Sequence, residues 1–177
     1  MLITAAGSVL LLVDLQQRLL PAIDDGDAVL AAAVRLATAA QLLDVPVCAT
    51  EQNPAGLGPT VEPLAAFPQL VLTKTAFGAT ADPGFGTLLP PGTEEIVVAG
   101  AEAHVCVLQT VLGLLAARHR VLLVADAVGS RKPADKAAGI DRAQRHGAEV
   151  VTAEMVLFEW LRDSTHPRFR DVHRLIR

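Results

Sequence analysis

Ile96-Val-Val-Ala-Gly100-Ala-Glu102-Ala-His104-Val-Cys106-Val-Leu-Gln-Thr110 passes from four aliphatic residues through a glycine into a stretch with helical spacing. A short aliphatic run that ends in glycine and continues as a helix is the strand-to-helix turn of a buried parallel sheet. Outward from this turn the alternation repeats. Strands are predicted near 8–14, 46–50, 69–74, 95–100, 120–125 and 148–151. Helices are predicted near 27–44, 60–66, 104–118, 134–146, 153–162 and 168–176. Asp27 is the capping candidate for the first helix, which ends before Pro46, and the helix at 134–146 follows Pro133 and stops at Gly147. Strand and helix in strict succession imply right-handed crossovers. The expected fold is α/β: a single three-layer Rossmann-like domain over residues 1–177, with a mainly parallel six-stranded sheet flanked by helices.

The turn places Cys106 near a helix N-terminus, where unpaired N–H groups and the helix dipole favour a thiolate. Two other chemical groups belong with it. Asp14 closes the aliphatic run Ser8-Val-Leu-Leu-Leu-Val-Asp14, and Lys74 closes Leu70-Val-Leu-Thr-Lys74. In a parallel sheet the carboxyl ends of the strands share one edge, so an acid, an ammonium and a thiol converge there. Together they supply a nucleophile, its base and a counter-charge. Gln16 and Phe77, two and three residues beyond Asp14 and Lys74, are candidates to line a pocket. Glu51 and Gln52, ending the second strand, either bind substrate or brace the following loop. His104 lies only two residues from Cys106, so on a helix the two side chains point in different directions. The Gly- and Pro-rich stretch 76–92 either covers the site or is a plain surface connection.

Leu12-Val-Asp14-Leu-Gln16, Thr50-Glu51-Gln52 through Gly58-Pro-Thr60, Lys74-Thr-Ala-Phe77, Gly100 to Thr110, and Val124-Ala-Asp126-Ala-Val-Gly-Ser-Arg131 occur in this order. In that order and spacing the chain resembles the isochorismatase-like cysteine hydrolases, a superfamily that includes nicotinamidases and N-carbamoylsarcosine amidases. The likeness is greatest to the small isochorismatase-domain proteins. The resemblance implies a catalytic triad of Asp14, Lys74 and Cys106. It also implies an oxyanion hole from the N–H groups of Cys106 and Glu102, with a cis peptide at Ala101-Glu102. Relatives that cleave a vinyl ether lack the nucleophilic cysteine, so Cys106 points to amide or related acyl chemistry through a thioester. Many relatives carry Thr where this chain has Ala103. The alternative is a catalytically idle oligomeric interaction protein that keeps the hydrolase fold. The resemblance also implies a homo-oligomer, a dimer or tetramer, and the apolar stretch Met155-Val-Leu-Phe158 with Trp160 and Leu161 is the candidate contact.

Composition narrows the alternatives. With 177 residues, 51% of them hydrophobic, the chain suffices for one domain with a full core. A net charge of −4 offers no basic field for a phosphate backbone, so a small-molecule substrate is expected and nucleic acid is not. Met1-Leu-Ile-Thr-Ala-Ala-Gly7 lacks the charged start of a signal peptide, and no apolar run has membrane-spanning length. A soluble, cytoplasmic protein without membrane partners is the expectation. Cys48 and Cys106 are too few for a disulfide framework or a zinc site, and Cys48 is expected in the core. A zinc-dependent nicotinamidase needs histidines after the second strand, and none occurs before His104. No metal and no cofactor are expected. Asp14-Leu-Gln-Gln-Arg18 stands where a dinucleotide-binding protein needs its glycine-rich turn.

Overall fold

The computed structural model describes residues 1–176. Six strands form one sheet: β1 (Ser8–Val13), β2 (Val47–Gln52), β3 (Leu70–Lys74), β4 (Glu95–Ala101), β5 (Arg120–Gly129) and β6 (Glu149–Val151). All the strand pairs are parallel, in the order β3-β2-β1-β4-β5-β6. The aliphatic runs are central for a physical reason. Every residue of β1 and β4 is buried, as a strand covered on both faces requires.

The helices divide between the two faces. On one, α1 (Gly26–Leu42), α6 (Ala153–Leu161) and α7 (Phe169–His173) bury Leu36, Val156, Leu157, Trp160 and Val172 against Leu10, Leu12, Val97 and Leu122. On the other, α4 (Leu108–Ala116) and α5 (Pro133–Arg145) cover Val9, Leu11, Ile96, Val98 and Leu123 with Val111, Leu114 and Ala143. Two single-turn helices, α2 (Pro54–Leu57) and α3 (Glu62–Ala65), fill the β2–β3 connection. The chain leaves β1 for one face and β4 for the other. The switch point therefore lies between their carboxyl ends, the place where open α/β sheets form their ligand crevice.

Several local expectations are corrected. The helix expected from 104 begins instead as a π turn, Ala103–Val107, before α4. The residue at the N-cap of α1 is Asp25 in a left-handed conformation, while Asp27 lies in the first turn. β5 runs to Gly129, four residues beyond the expected end, and its register with β4 shifts between Val98 and Gly100. The last helix is α7 followed by a 3-10 turn at Arg174–Ile176. In the C-terminal apolar stretch, Val156, Leu157, Trp160 and Leu161 are core, leaving only Met155 and Phe158 exposed. Among the described residues no helix is long and apolar enough to cross a membrane.

Candidate active site

The crevice is built by backbone first. Gly100 has φ +145°, and a Cβ there would lie 2.1 Å from the Val13 carbonyl oxygen, so only glycine lets β4 pass β1 this closely. One residue beyond Val13, Asp14 is left-handed, with φ 51°. Strand continuation stops there, and the carboxylate sits in the crevice, fully buried. Across it the Ala101–Glu102 peptide is cis, and the Glu102 carbonyl accepts from Val105 and Val107 to close the π turn that carries Cys106.

Lys74 arrives from β3, two strands away from β1. Its ammonium is as buried as the carboxylate it meets, with Nζ donating to Asp14 Oδ2 at 2.8 Å. It also donates to Gln52 Oε1 at 2.9 Å, to the Phe77 carbonyl at 3.0 Å and to the Ala76 carbonyl at 3.3 Å. The start of the 76–92 stretch thus wraps the ammonium. Farther along the stretch, Thr110 Oγ1 of α4 accepts from Ala79 N–H, and Leu88 is buried in the core on the α4 side of the sheet. The other Asp14 oxygen, Oδ1, accepts the Thr50 hydroxyl at 2.6 Å.

Cys106 is buried in this company, and its titration reverses the expectation from helix position. Burial pushes the thiol up to about 12, the Asp14 charge and hydrogen bond add to that, and Lys74 opposes it without prevailing. The resting group is a neutral thiol facing a carboxylate, because desolvation penalises the anion more than one ammonium repays. Cys48 is core as expected; burial lifts it to about 11, and its sulfur donates to the Leu88 carbonyl at 3.1 Å.

The remaining candidates separate into braces and open groups. Gln16 is fully buried, and its amide is spent on backbone. Nε2 donates to the carbonyls of Gly58 at 2.6 Å and Gln52 at 3.0 Å, while Oε1 accepts from Gln52 N–H at 2.8 Å. It pins the β2–β3 loop, with its amide turned to backbone groups. Glu51 braces as well, accepting from Thr60 N–H at 2.7 Å and Thr60 Oγ1 at 2.8 Å. Gln52 holds Lys74 and the Thr75 carbonyl. The Phe77 ring is 54% exposed at the end of β3. His104 turns from Cys106 toward Ser130 Oγ, 3.0 Å from Nδ1, and Asp135.

The Isochorismatase domain family model matches residues 8–155, from the first residue of β1 into α6, and so spans every group described. The chain belongs to the isochorismatase domain family. Isochorismatase domain-containing protein 1 of Salmo salar is 36% identical over 174 residues; the match covers 97% of this chain but 62% of that protein, less than two thirds of its length. Isochorismatase domain-containing protein 2 of Danio rerio is 35% identical over 175 residues, 98% of this chain and 89% of that one. The solved structure of MAR1 ribonuclease from Caenorhabditis elegans is similar with a TM-score of 0.92 and 34% identity, covering 99% of this chain and 92% of that chain. The architecture is the isochorismatase-family hydrolase fold.

Two features of this isochorismatase domain were not read from the sequence. Thr50 is one, although a hydroxyl inside the apolar run Val47-Cys-Ala-Thr50 is a signal that it must find a buried partner. The second is Arg131, whose Nε donates to Glu102 Oε1 at 2.8 Å. Burial alone would raise the Glu102 carboxyl; the hydrogen bonds and charge of Arg131 outweigh it and hold the group below the usual carboxylate range. Gly139 of α5 completes the support, since a Cβ there would come within 2.8 Å of the Ala103 carbonyl oxygen, in the turn carrying Cys106.

Proposed function

We propose that the protein is a cysteine-dependent hydrolase that cleaves a small amide or related C–N or acyl bond through a thioester on Cys106. One observation carries this reading. A buried carboxylate, clamped on both oxygens, lies beside a buried thiol at the switch point of an isochorismatase-family sheet. A purely structural core would fill these positions with aliphatic groups, because burying an ion pair seldom adds net stability.

The chemistry follows from the charges. With the Cys106 thiol near 12, a standing thiolate is not the nucleophile. Asp14 instead takes the proton as sulfur bonds to the acyl carbon, so negative charge passes to the acyl oxygen rather than accumulating beside the carboxylate. The Glu102 N–H meets no acceptor among the described residues and supports the assignment of Glu102 and Cys106 N–H as oxyanion donors. Collapse breaks the C–N bond; the amine leaves with the proton from Asp14, and water then hydrolyses the thioester, returning a proton to sulfur and releasing the acid. Lys74 holds the Asp14 carboxyl in position throughout. Phe77 is the side chain we place at the pocket mouth. No metal enters this scheme, since both Asp14 oxygens are already engaged by protein donors.

The test is a panel of small amides, ureas and carbamoyl compounds assayed for ammonia or amine release, with Cys106→Ser and Lys74→Met as controls. Release by the wild-type protein alone supports the proposal, and release by all three overturns it. A short RNA belongs in the panel because a ribonuclease is among the relatives; the net charge of −4 gives this chain little to hold it. We also propose a homo-oligomer, with exposed Met155 and Phe158 on α6 as part of the contact. Light scattering showing a monomer at micromolar concentration would remove that part of the proposal.

A further inference from the structure

We propose that Thr50 is a positioning residue for catalysis, and that the single hydrogen of its hydroxyl fixes the plane in which the Asp14 carboxylate faces Cys106. The inference rests on the hydrolase reading above and extends it to a residue outside the triad. Thr50 lies in β2 in register with Val13, the residue before Asp14. It is fully buried, and the β2 residues before it, Val47, Cys48 and Ala49, are buried and non-polar. Valine would occupy that space with the same shape and no polar atom to satisfy. The hydroxyl is therefore costly unless it has a use.

Its partner shows the use. Thr50 Oγ1 donates to Asp14 Oδ1 at 2.6 Å, the length of a charge-assisted O–H···O bond. The Thr50 carbonyl also accepts the Asp14 N–H at 3.1 Å, so one residue grips Asp14 at backbone and side chain. Apart from the Cys106 thiol that the carboxylate faces, no further side chain among the described residues donates to it, and Oδ2 is held by Lys74. With one donor on each oxygen, from adjacent strands, the carboxylate cannot rotate. Without Thr50 it is anchored at Oδ2 alone and swings about that point. A β-branched side chain suits the task because its χ1 is stiff. The consequence falls on proton transfer from the thiol, which depends on the direction of an Asp14 lone pair, and not on substrate binding.

Thr50→Val removes the hydroxyl at constant shape, Thr50→Ser keeps it, and Thr50→Ala repeats the deletion should the valine variant not fold. On the best amide from the panel, well below the melting temperature, Thr50→Val should lose roughly 10- to 100-fold in kcat, the range for a hydrogen bond to a charged group, with KM unchanged. Thr50→Ser should recover most of it. Wild-type kcat in Thr50→Val, or an equal loss in Thr50→Ser, would overturn the inference. Should the wild-type protein cleave no amide, the hydrolase reading fails on its own, and the positioning is read from the 13C resonance of the Asp14 carboxyl. That resonance should move in Thr50→Val and stay in Thr50→Ser; an unmoved resonance in Thr50→Val would overturn the inference independently of any substrate.

Discussion

Lys74→Met exchanges the buried ammonium for an apolar chain of similar length, and its cost can be worked from the contacts. Four oxygens lose a donor: Asp14 Oδ2, Gln52 Oε1 and the carbonyls of Ala76 and Phe77. Asp14, fully buried, keeps the Thr50 hydroxyl and the Cys106 thiol but no cation. Removing one partner of a buried ion pair costs about 3–5 kcal/mol, because the remaining charge has neither water nor counter-ion. For a chain of this size each kcal/mol shifts the melting temperature by about 2–4 °C, so thermal unfolding followed by circular dichroism should show a drop of roughly 6–20 °C. Asp14→Asn in the same chain removes the stranded charge, and the double variant should recover more than half of the loss. The two sites therefore couple strongly, as a double-mutant cycle reveals. A melting temperature for Lys74→Met within about 2 °C of wild type would refute the reasoning, since it would mean that the pair carries no such charge burden.

Four further outcomes are expected. Iodoacetamide alkylation of Cys106, located by peptide mapping, should rise with pH across the neutral and alkaline range without a plateau, faster in Asp14→Asn and slower in Lys74→Met; a plateau near neutrality would contradict the burial-raised thiol near 12. Both cysteines hold their protons more tightly folded than at the usual 9.0, so their stabilising effect is complete below pH 9 and is lost as pH rises through 11 and 12, visible as falling stability in urea titrations. Gly100→Ala places a methyl 2.1 Å from the Val13 carbonyl at φ +145°, and should cost more than about 3 kcal/mol by denaturant unfolding or prevent folding. A strong chelator should leave amide hydrolysis intact, and loss that added zinc restores would contradict the metal-free scheme.

The sheet was legible because its strands are written as aliphatic runs, and the crevice because Asp14, Lys74 and Cys106 each stand where such a run ends or turns into a helix. What escaped reading depends on contacts between distant segments. The helix position of Cys106 suggests an easily formed thiolate, yet burial and Asp14, brought from 92 positions earlier in the chain, reverse the sign. Gln16 follows Asp14 by two residues and so invites a pocket role. Its amide is claimed by Gln52 and Gly58 after the chain has passed through α1 and β2. The displaced cap at Asp25 and the π turn at Ala103–Val107 are likewise backbone choices that neighbouring segments decide.

The central claim is that Cys106 becomes an acyl carrier, and mass spectrometry of the intact protein tests it most directly. The protein is acid-quenched during turnover of the best amide from the panel, weighed, digested and mapped. The expected result is a mass gain equal to the acyl group, confined to the peptide containing Cys106, released by hydroxylamine and absent in Cys106→Ser. Amine release at the wild-type rate from Cys106→Ser, with no acylated peptide in either protein, would contradict the account.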